Sequence, residues 1–294
     1  MERELWRAFK AAAKNHPRTR PRNAVYTDIQ IATVYAWAVM NDRPVSWACD
    51  RGNWPDRAWR CPLPDQSTMS RRMRRPKVLA IADAILARVQ RDFELGDIMI
   101  VDGKPLELSE HTRDPDARTG RGAGRYAKGY KLHLVLDQHS GAVLAFETHP
   151  LNTSETTTAT AMVSDPETPV FSGGLLLGDA LYDSNELHQA SADRGVQLAA
   201  PRKKPGTGLG RRRHHPNRLK SIEMTEGDEQ SLWKDVLGPC RDGIERFFGT
   251  LASYGGGLYG LPPWVRRLHR VRLWVAFKLV FNAIRIAAKR AELA

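Results

Sequence analysis

The hydrophobic period changes twice along this chain, and those changes limit the folds open to it. Up to about residue 95 apolar residues recur every three to four positions. In "TDIQIATVYAWAVMN" (27–41), Ile31, Val34, Tyr35, Ala38 and Val39 fall on one helical face, and Thr27 can cap it. "LPDQSTMSRRMRR" (63–75) has Pro64 near its start and Asp65 or Ser67 as cap. "PKVLAIADAILARVQRDF" (76–93) is a third, amphipathic helix. Near residue 97 β-branched runs take over. "DIMIVDGKPLEL" reads as a strand, and "GYKLHLVLD" with "GAVLAFETH" reads as a hairpin turning at Asp137. A polar helix "TSETTTATAMV" leads to "GGLLLGDALYDS" (173–184), a continuous apolar strand of the kind buried on both faces. A short helix closed by Gly195 and a strand "VQLAAP" follow. The remainder is helical, with a break at "YGGGLYG". The expected class is α/β: a mixed sheet in the order β-β-β-α-β-α-β with flanking helices, preceded by a small all-α region. The expected domains are 1–95 and 96–294.

Charge narrows the partner. The 294 residues carry 45 Lys+Arg against 33 Asp+Glu, a formal net charge of +12. A polyanion is the natural partner, and nucleic acid the first choice; the plain alternative is an Arg-rich composition without a ligand. With 41 % hydrophobic residues the chain can bury a core. Cys49, Cys61 and Cys240 are too few for a disulfide framework and fit no zinc spacing, even beside His214 and His215. No leader is expected at "MERELWRAFK", and "LWVAFKLVFNAI" (273–284) is about half a membrane span and contains Lys278. A buried core helix suits it better, and the expected location is the cytoplasm, at the nucleoid.

Three acids stand out. Asp102 ends "IMIV" and Asp179 ends "LLLG", each where an apolar strand gives way to a turn. If the first strand is central, the two strands are parallel neighbours about 4.8 Å apart and open a cleft where their connections diverge. Glu245 lies in "RDGIERFFGTL" (241–251), beside an apolar stripe of Ile244, Phe247, Phe248 and Leu251, with Arg241 one turn earlier. Three hard oxygen donors in one place need a hard cation, and Mg²⁺ fits, with Mn²⁺ as a substitute. Two such ions about 3.5–4 Å apart stabilise the attacking and leaving oxygens of a phosphodiester displacement.

The segments "IVDGKPL", "GYKLHLVLD", "GDALYDS" and "RDGIERFFGTL", in that order, resemble the DDE transposases of bacterial insertion sequences. The front segment "AWAVMNDRPVSWACDRGNWP…LPDQSTMSRRMRR" resembles their N-terminal region. The likeness spans roughly residues 25–290. It implies an RNase H-like core, a divalent-metal triad of Asp102, Asp179 and Glu245, and cutting and joining at the ends of a mobile element. It also implies double-stranded DNA partners, namely terminal inverted repeats and target, and a homodimer holding two ends. One branch of the family has a Tyr three residues before the Arg and a Lys seven after the Glu. Here those places hold Gly238 and Ala252, so this chain looks more like the branch with Arg-x-x-x-Glu-Arg and a following Phe.

The basic residues divide by context. Arg71, Arg72, Arg74 and Arg75 end the second helix, which reads as a DNA recognition helix with Met69 and Met73 inward. "GRGAGRYAKG" opens no buried helix, so it is read as a flexible loop whose Arg121 and Arg125 reach DNA. Residues 202–220 hold eight Lys/Arg and no acid, with Arg211, Arg212 and Arg213 as non-specific grip. Arg241 and Arg246 contact phosphate or orient Glu245. Asp183 reads as a helix cap, Glu155 as a capping acid, and His133 as a core or supporting residue. Two other functions share these features: a related nuclease or junction resolvase that cuts without joining, and a non-catalytic DNA-binding protein derived from a transposase.

Overall fold

The computed structural model describes residues 2–55, 62–209, 213–227, 230–253 and 257–293. In chain order the elements are α1 (Glu2–Ala13), α2 (Asp28–Met40), α3 (Val45–Ala48), α4 (Gln66–Arg72), α5 (Pro76–Val89), β1 (Ile98–Glu107), β2 (Arg118–Arg121), β3 (Tyr126–Asp137) and β4 (Val143–Pro150). Then come α6 (Glu155–Ser164), β5 (Leu175–Leu177), α7 (Asn185–Asp193), β6 (Gln197–Ala199), α8 (Pro216–Glu226), α9 (Gln230–Leu232), α10 (Gly238–Arg241), α11 (Gly243–Ser253) and α12 (Leu268–Leu293). They form two compact units. One comprises Met1–Asp92, Arg113–Asp116 and Thr250–Ala294, the other Phe93–Thr112 and Ala117–Gly249.

This division departs from the expected 1–95 and 96–294, because the C-terminal helix joins the N-terminal helices. The reason is apolar. From Leu273 to Ile284 α12 is buried on almost every side, so it needs helices around it. The rings of Phe277 and Phe281 meet Phe9 of α1, and those of Trp274 and Phe277 meet Tyr35 of α2. No described helix is long and apolar enough to cross a membrane. Thr27 and Gln30 form a capping box at α2, and Asp65 rather than Ser67 caps α4 by accepting from the Thr68 amide.

Two ion pairs lock this unit, one buried on both sides and one joining a buried lysine to a partly exposed aspartate. Arg72 reaches from α4 to Asp28 at 2.7 Å and donates to the Tyr26 carbonyl at 2.9 Å. It therefore departs from the expected DNA-facing set: its guanidinium is spent on holding α4 against α2. Lys278 donates to the Val39 carbonyl at 2.9 Å and to Asp42, and lies 4.9 Å from the Trp274 ring centroid. Burial lowers its pKa from 10.5 to about 8, against the pull of Asp42. A lowered lysine means that the unfolded chain binds the proton more tightly. Stability should therefore rise with pH between about 8 and 10.5, relative to Lys278→Met, by on the order of 1–3 kcal/mol. Melting curves of both proteins at pH 7.5 and 10 test this; a constant gap would refute it.

In the second unit a six-stranded mixed sheet runs β2-β3-β1-β5-β6, with β4 also paired to β3. β1 is antiparallel to β3 and parallel to β5, so it occupies the central place that the two aspartates require. α6 and α7 cover one face, burying Met99, Val101, Leu176, Leu198, Met162, Leu187 and Tyr182. On the other, the start of α11 meets Ile100, and Ile244 and Phe247 are buried. The β3–β4 turn is fastened by Asp137, whose carboxylate accepts from the Ser140 amide at 2.6 Å. The expected flexible loop, residues 120–129, is not loop throughout, because strand β2 (Arg118–Arg121) ends inside it and β3 begins there. Residues 118–121 pair with Tyr126–Gly129, which makes "GRGAGRY" the tip of a hairpin.

Candidate active site

β5 pairs with β1 over Ile98–Ile100 only, so Asp102 stands two residues beyond the last parallel pair. Asp179 follows the end of β5 and turns the chain, its carboxylate accepting from the Leu181 amide at 2.7 Å. That turn is tight. A side chain on Gly178 would meet the Tyr182 Cβ at 2.9 Å, so glycine is required before Asp179.

Asp102 is held in an uneasy state. Burial pushes its pKa up to about 6, opposed by the Gly103 amide at 2.7 Å and by Arg241, whose guanidinium lies 4.0 Å away. Asp179 and Glu155 add further upward pressure through their negative charge. A buried carboxylate beside two others is stabilised by a cation, and all-oxygen donors suit a hard divalent one. Asp102 and Asp179 thus fit such an ion. Glu245 is not brought to them in this structure: it is exposed on the first turn of α11. Among the described residues no three His, Cys, Asp or Glu side chains converge to hold a metal.

Several basic residues fall into place around the pair. Arg241 faces Asp102 and also Asp242 at 3.4 Å. With Asp179, Trp233, Lys234 and Pro239 it lines an open cleft. Arg246 folds back toward the start of α11 and is exposed. Arg121 and Arg213 are exposed, and Arg125 at the hairpin tip is paired with Glu107 and Glu110. Arg211 and Arg212 lie outside the described residues. In the helical unit Arg71 and Arg74 are exposed and Arg75 is half-buried.

Three features escaped the sequence reading. Asp183 is no helix cap; Ser184 caps α7 through the Leu187 amide. Asp183 is buried and grips Arg218 with both oxygens, at 2.6 and 2.8 Å, with His188 at 3.5 Å. Burial alone would raise its pKa, but the hydrogen bonds from Arg218 and His188 hold it well below the carboxylate range. Glu155 is not the cap of α6, which is Ser154; it pairs with Lys131 instead. Arg74, Arg266, Arg267, His269 and Arg270 gather around one cavity at the start of α12 with a single acid, Asp116. No local motif marks that cluster, because its members are nearly 200 positions apart.

The second unit is thus an α/β sheet that presents two carboxylates, Asp102 and Asp179, with Arg241 beside the first. The family described as Transposase DDE domain matches residues 94–258, more than half of the chain. The chain belongs to this DDE transposase family. No curated protein matches it. Among solved structures it is similar to a piggyBac transposase in a synaptic complex with hairpin DNA, at 11 % identity and a TM-score of 0.38, over 99 % of this chain and 79 % of that one.

Proposed function

We propose that this protein is the transposase of a bacterial insertion sequence: it binds the terminal inverted repeats, cuts at the element ends and joins them to target DNA. The observation that carries the reading is that Asp102 and Asp179 follow the last residues of the parallel β1–β5 pairing, with the charge of Asp179 acting on Asp102, inside the matched family segment. The sheet around them is taken as an RNase H-like core. Mg²⁺, or Mn²⁺ in its place, would be held by Asp102 and Asp179, with Glu245 as the proposed third ligand; the bound cation would supply charge stabilisation to the phosphodiester displacement. The protein's own residues do the rest. Arg241 offers its guanidinium to a backbone phosphate near Asp102. Trp233 and Lys234 on the cleft wall offer a stacking face and a second cation. Arg246 faces solvent where a phosphate can reach it. Two copies working on two ends, each with its own site, complete the reading.

Joining separates this function from the resolvase alternative. A duplex of the element's end, incubated with supercoiled plasmid and Mg²⁺, should become covalently linked to the plasmid through its 3′-oxygen. Nicking without any joined product would favour a nuclease.

The helical unit is assigned to end recognition. Arg71 of α4, with Arg74 and Arg75 in the turn after it, would be continued by the cluster at α12, since Arg270 donates to Ser70 of α4 at 3.4 Å. Replacing Arg74, Arg267 and Arg270 with Gln should lower affinity for every DNA sequence. The slope of log K against log salt should fall by about 0.9 for each phosphate that is no longer neutralised. Fluorescence anisotropy at several salt concentrations measures it, and an unchanged slope would remove the cluster from the DNA surface.

A further inference from the structure

The hairpin of β2 and β3 is braced at its tip. The Glu107 carboxylate, at the end of β1, accepts from the Ala123 amide at 2.8 Å and pairs with Arg125 at 3.4 Å. The Gly122 amide donates across the tip to the Arg125 carbonyl at 2.7 Å. A Cβ on Gly122 would lie 2.3 Å from the Glu107 Oε1, so a larger residue there would push the brace aside. Gly124 turns the chain at φ +79°, a conformation that favours glycine.

The two faces of this hairpin differ. Register sets Gly120 opposite Ala127 and Arg121 opposite Tyr126. Gly120 and Ala127 are buried, and a Cβ on Gly120 would lie 2.5 Å from the Leu151 carbonyl oxygen. Alternation therefore turns Thr119, Arg121, Tyr126 and Lys128 outward. The first three are exposed and Lys128 is half-buried. That face carries two cations and no acid; the nearby Glu107 and Glu110 are engaged with Arg125. Tyr126 is 81 % exposed, more than any other large apolar or aromatic side chain among the described residues. Leu134 of β3 lies opposite Asp102, so the same alternation sets Tyr126 and Lys128 on the face of the sheet that carries Asp102. A lone surface aromatic is ordinary. One fixed on a braced tip beside cations is a contact surface already ordered, and a tyrosine ring loses little entropy when it is covered.

We infer that this hairpin face binds an unpaired nucleotide of the DNA, with Tyr126 stacked on its base and Arg121 and Lys128 against the neighbouring phosphates. Charge selects the partner, because a face with cations and no acid fits a polyanion. The ring selects its form. In a duplex each base face is covered by its neighbours, whereas an unpaired base offers its face to an aromatic side chain. Residues directly opposite across two antiparallel strands stand about 5 Å apart, so Arg121 and Tyr126 engage phosphate and base together. The inference rests on the proposed DNA-cutting function, whose broken ends supply such nucleotides, and its test separates the two.

Fluorescence anisotropy of the whole chain in EDTA, with a blunt duplex and with the same duplex carrying oligothymidine overhangs, supplies the readout. Wild type should bind the overhang probe more tightly. Tyr126→Ala should weaken binding to that probe about tenfold, within the range for losing one stacked base, and leave the blunt duplex within about twofold. Tyr126→Phe keeps the ring and should bind both probes as wild type does. The position is exposed, so both variants should melt as wild type does. Wild-type affinity of Tyr126→Ala for the overhang probe, or equal losses on both probes, overturns the inference. So does a Tyr126→Ala variant that keeps its DNA affinity but loses self-association in sedimentation, which would make the hairpin a contact between copies of this chain. Should wild type bind neither probe, the DNA-cutting reading falls as well. Should wild type bind both and nick element ends in Mg²⁺ while Tyr126→Ala matches it on the overhang probe, only the role of Tyr126 falls.

Discussion

Asp102→Asn and Asp179→Asn should each reduce nicking of element-end DNA by about a thousandfold or more, with DNA binding in EDTA intact. Losing a carboxylate from the proposed ion-binding pair forfeits several kcal/mol of transition-state stabilisation, and each 1.36 kcal/mol is a factor of ten. Asn conserves shape. At Asp179 its side-chain carbonyl can still accept from the Leu181 amide, so the turn survives. At Asp102 the substitution removes a carboxylate that burial already holds near pKa 6, so the fold should tolerate it well. Both changes remove negative charge beside a DNA path, so affinity should hold or rise. Nicking assays run beside gel shifts check this. A variant that cuts normally would remove that aspartate from the chemistry.

Asp183→Asn should do the reverse: leave the chemistry and weaken the fold. Asp183 grips the Arg218 guanidinium in a bidentate pair, with side chains 3 % and 16 % exposed. Breaking a buried pair by removing one partner costs about 3 kcal/mol or more, because the other charge stays buried. Against a total stability of about 5–15 kcal/mol, that is a large share. The pH dependence follows in sign. The folded pKa of Asp183 is held below the ordinary value of 3.8, so its contribution is fully present above about pH 4 and is lost as pH falls through the folded value. Urea melts of both proteins should show a gap at pH 6 that narrows steadily toward pH 2. A variant as stable as wild type at pH 6 would mean that the pair contributes nothing.

The contrast between these two aspartates shows what sequence could and could not reveal. Four positions apart in "GDALYDS", they look alike in one dimension. Strand logic finds Asp179, since an apolar run ending in an acid predicts a carboxylate at a sheet end. It cannot find the role of Asp183, because the partner Arg218 is 35 positions away. The helices and strands were legible wherever periodicity was strong: α2, α5, β1, β3 and β4 stand close to where their patterns put them. The destination of α12 was not, since an apolar helix does not say which helices it will pack against. The same blindness to distance hid the arginine cluster of Arg74, Arg267 and Arg270, and misread Arg72, whose buried partner Asp28 lies 44 positions back. Glu155 was missed for a different reason. At a helix start an acid already has an ordinary explanation, and its partner Lys131 lies 24 positions back on β3.

The reading proposed for this protein is that Asp102, within β1 just beyond its pairing with β5, and Asp179, just after β5, make it a cation-dependent DNA-cutting enzyme. Its most direct test is nicking of a labelled element end by the purified whole chain in Mg²⁺, in Mn²⁺ and in EDTA, with Asp102→Asn alongside. Cutting by the wild type in either cation, none in EDTA and none by the variant is the predicted result. Undiminished cutting in EDTA, or by Asp102→Asn in Mg²⁺, would contradict it.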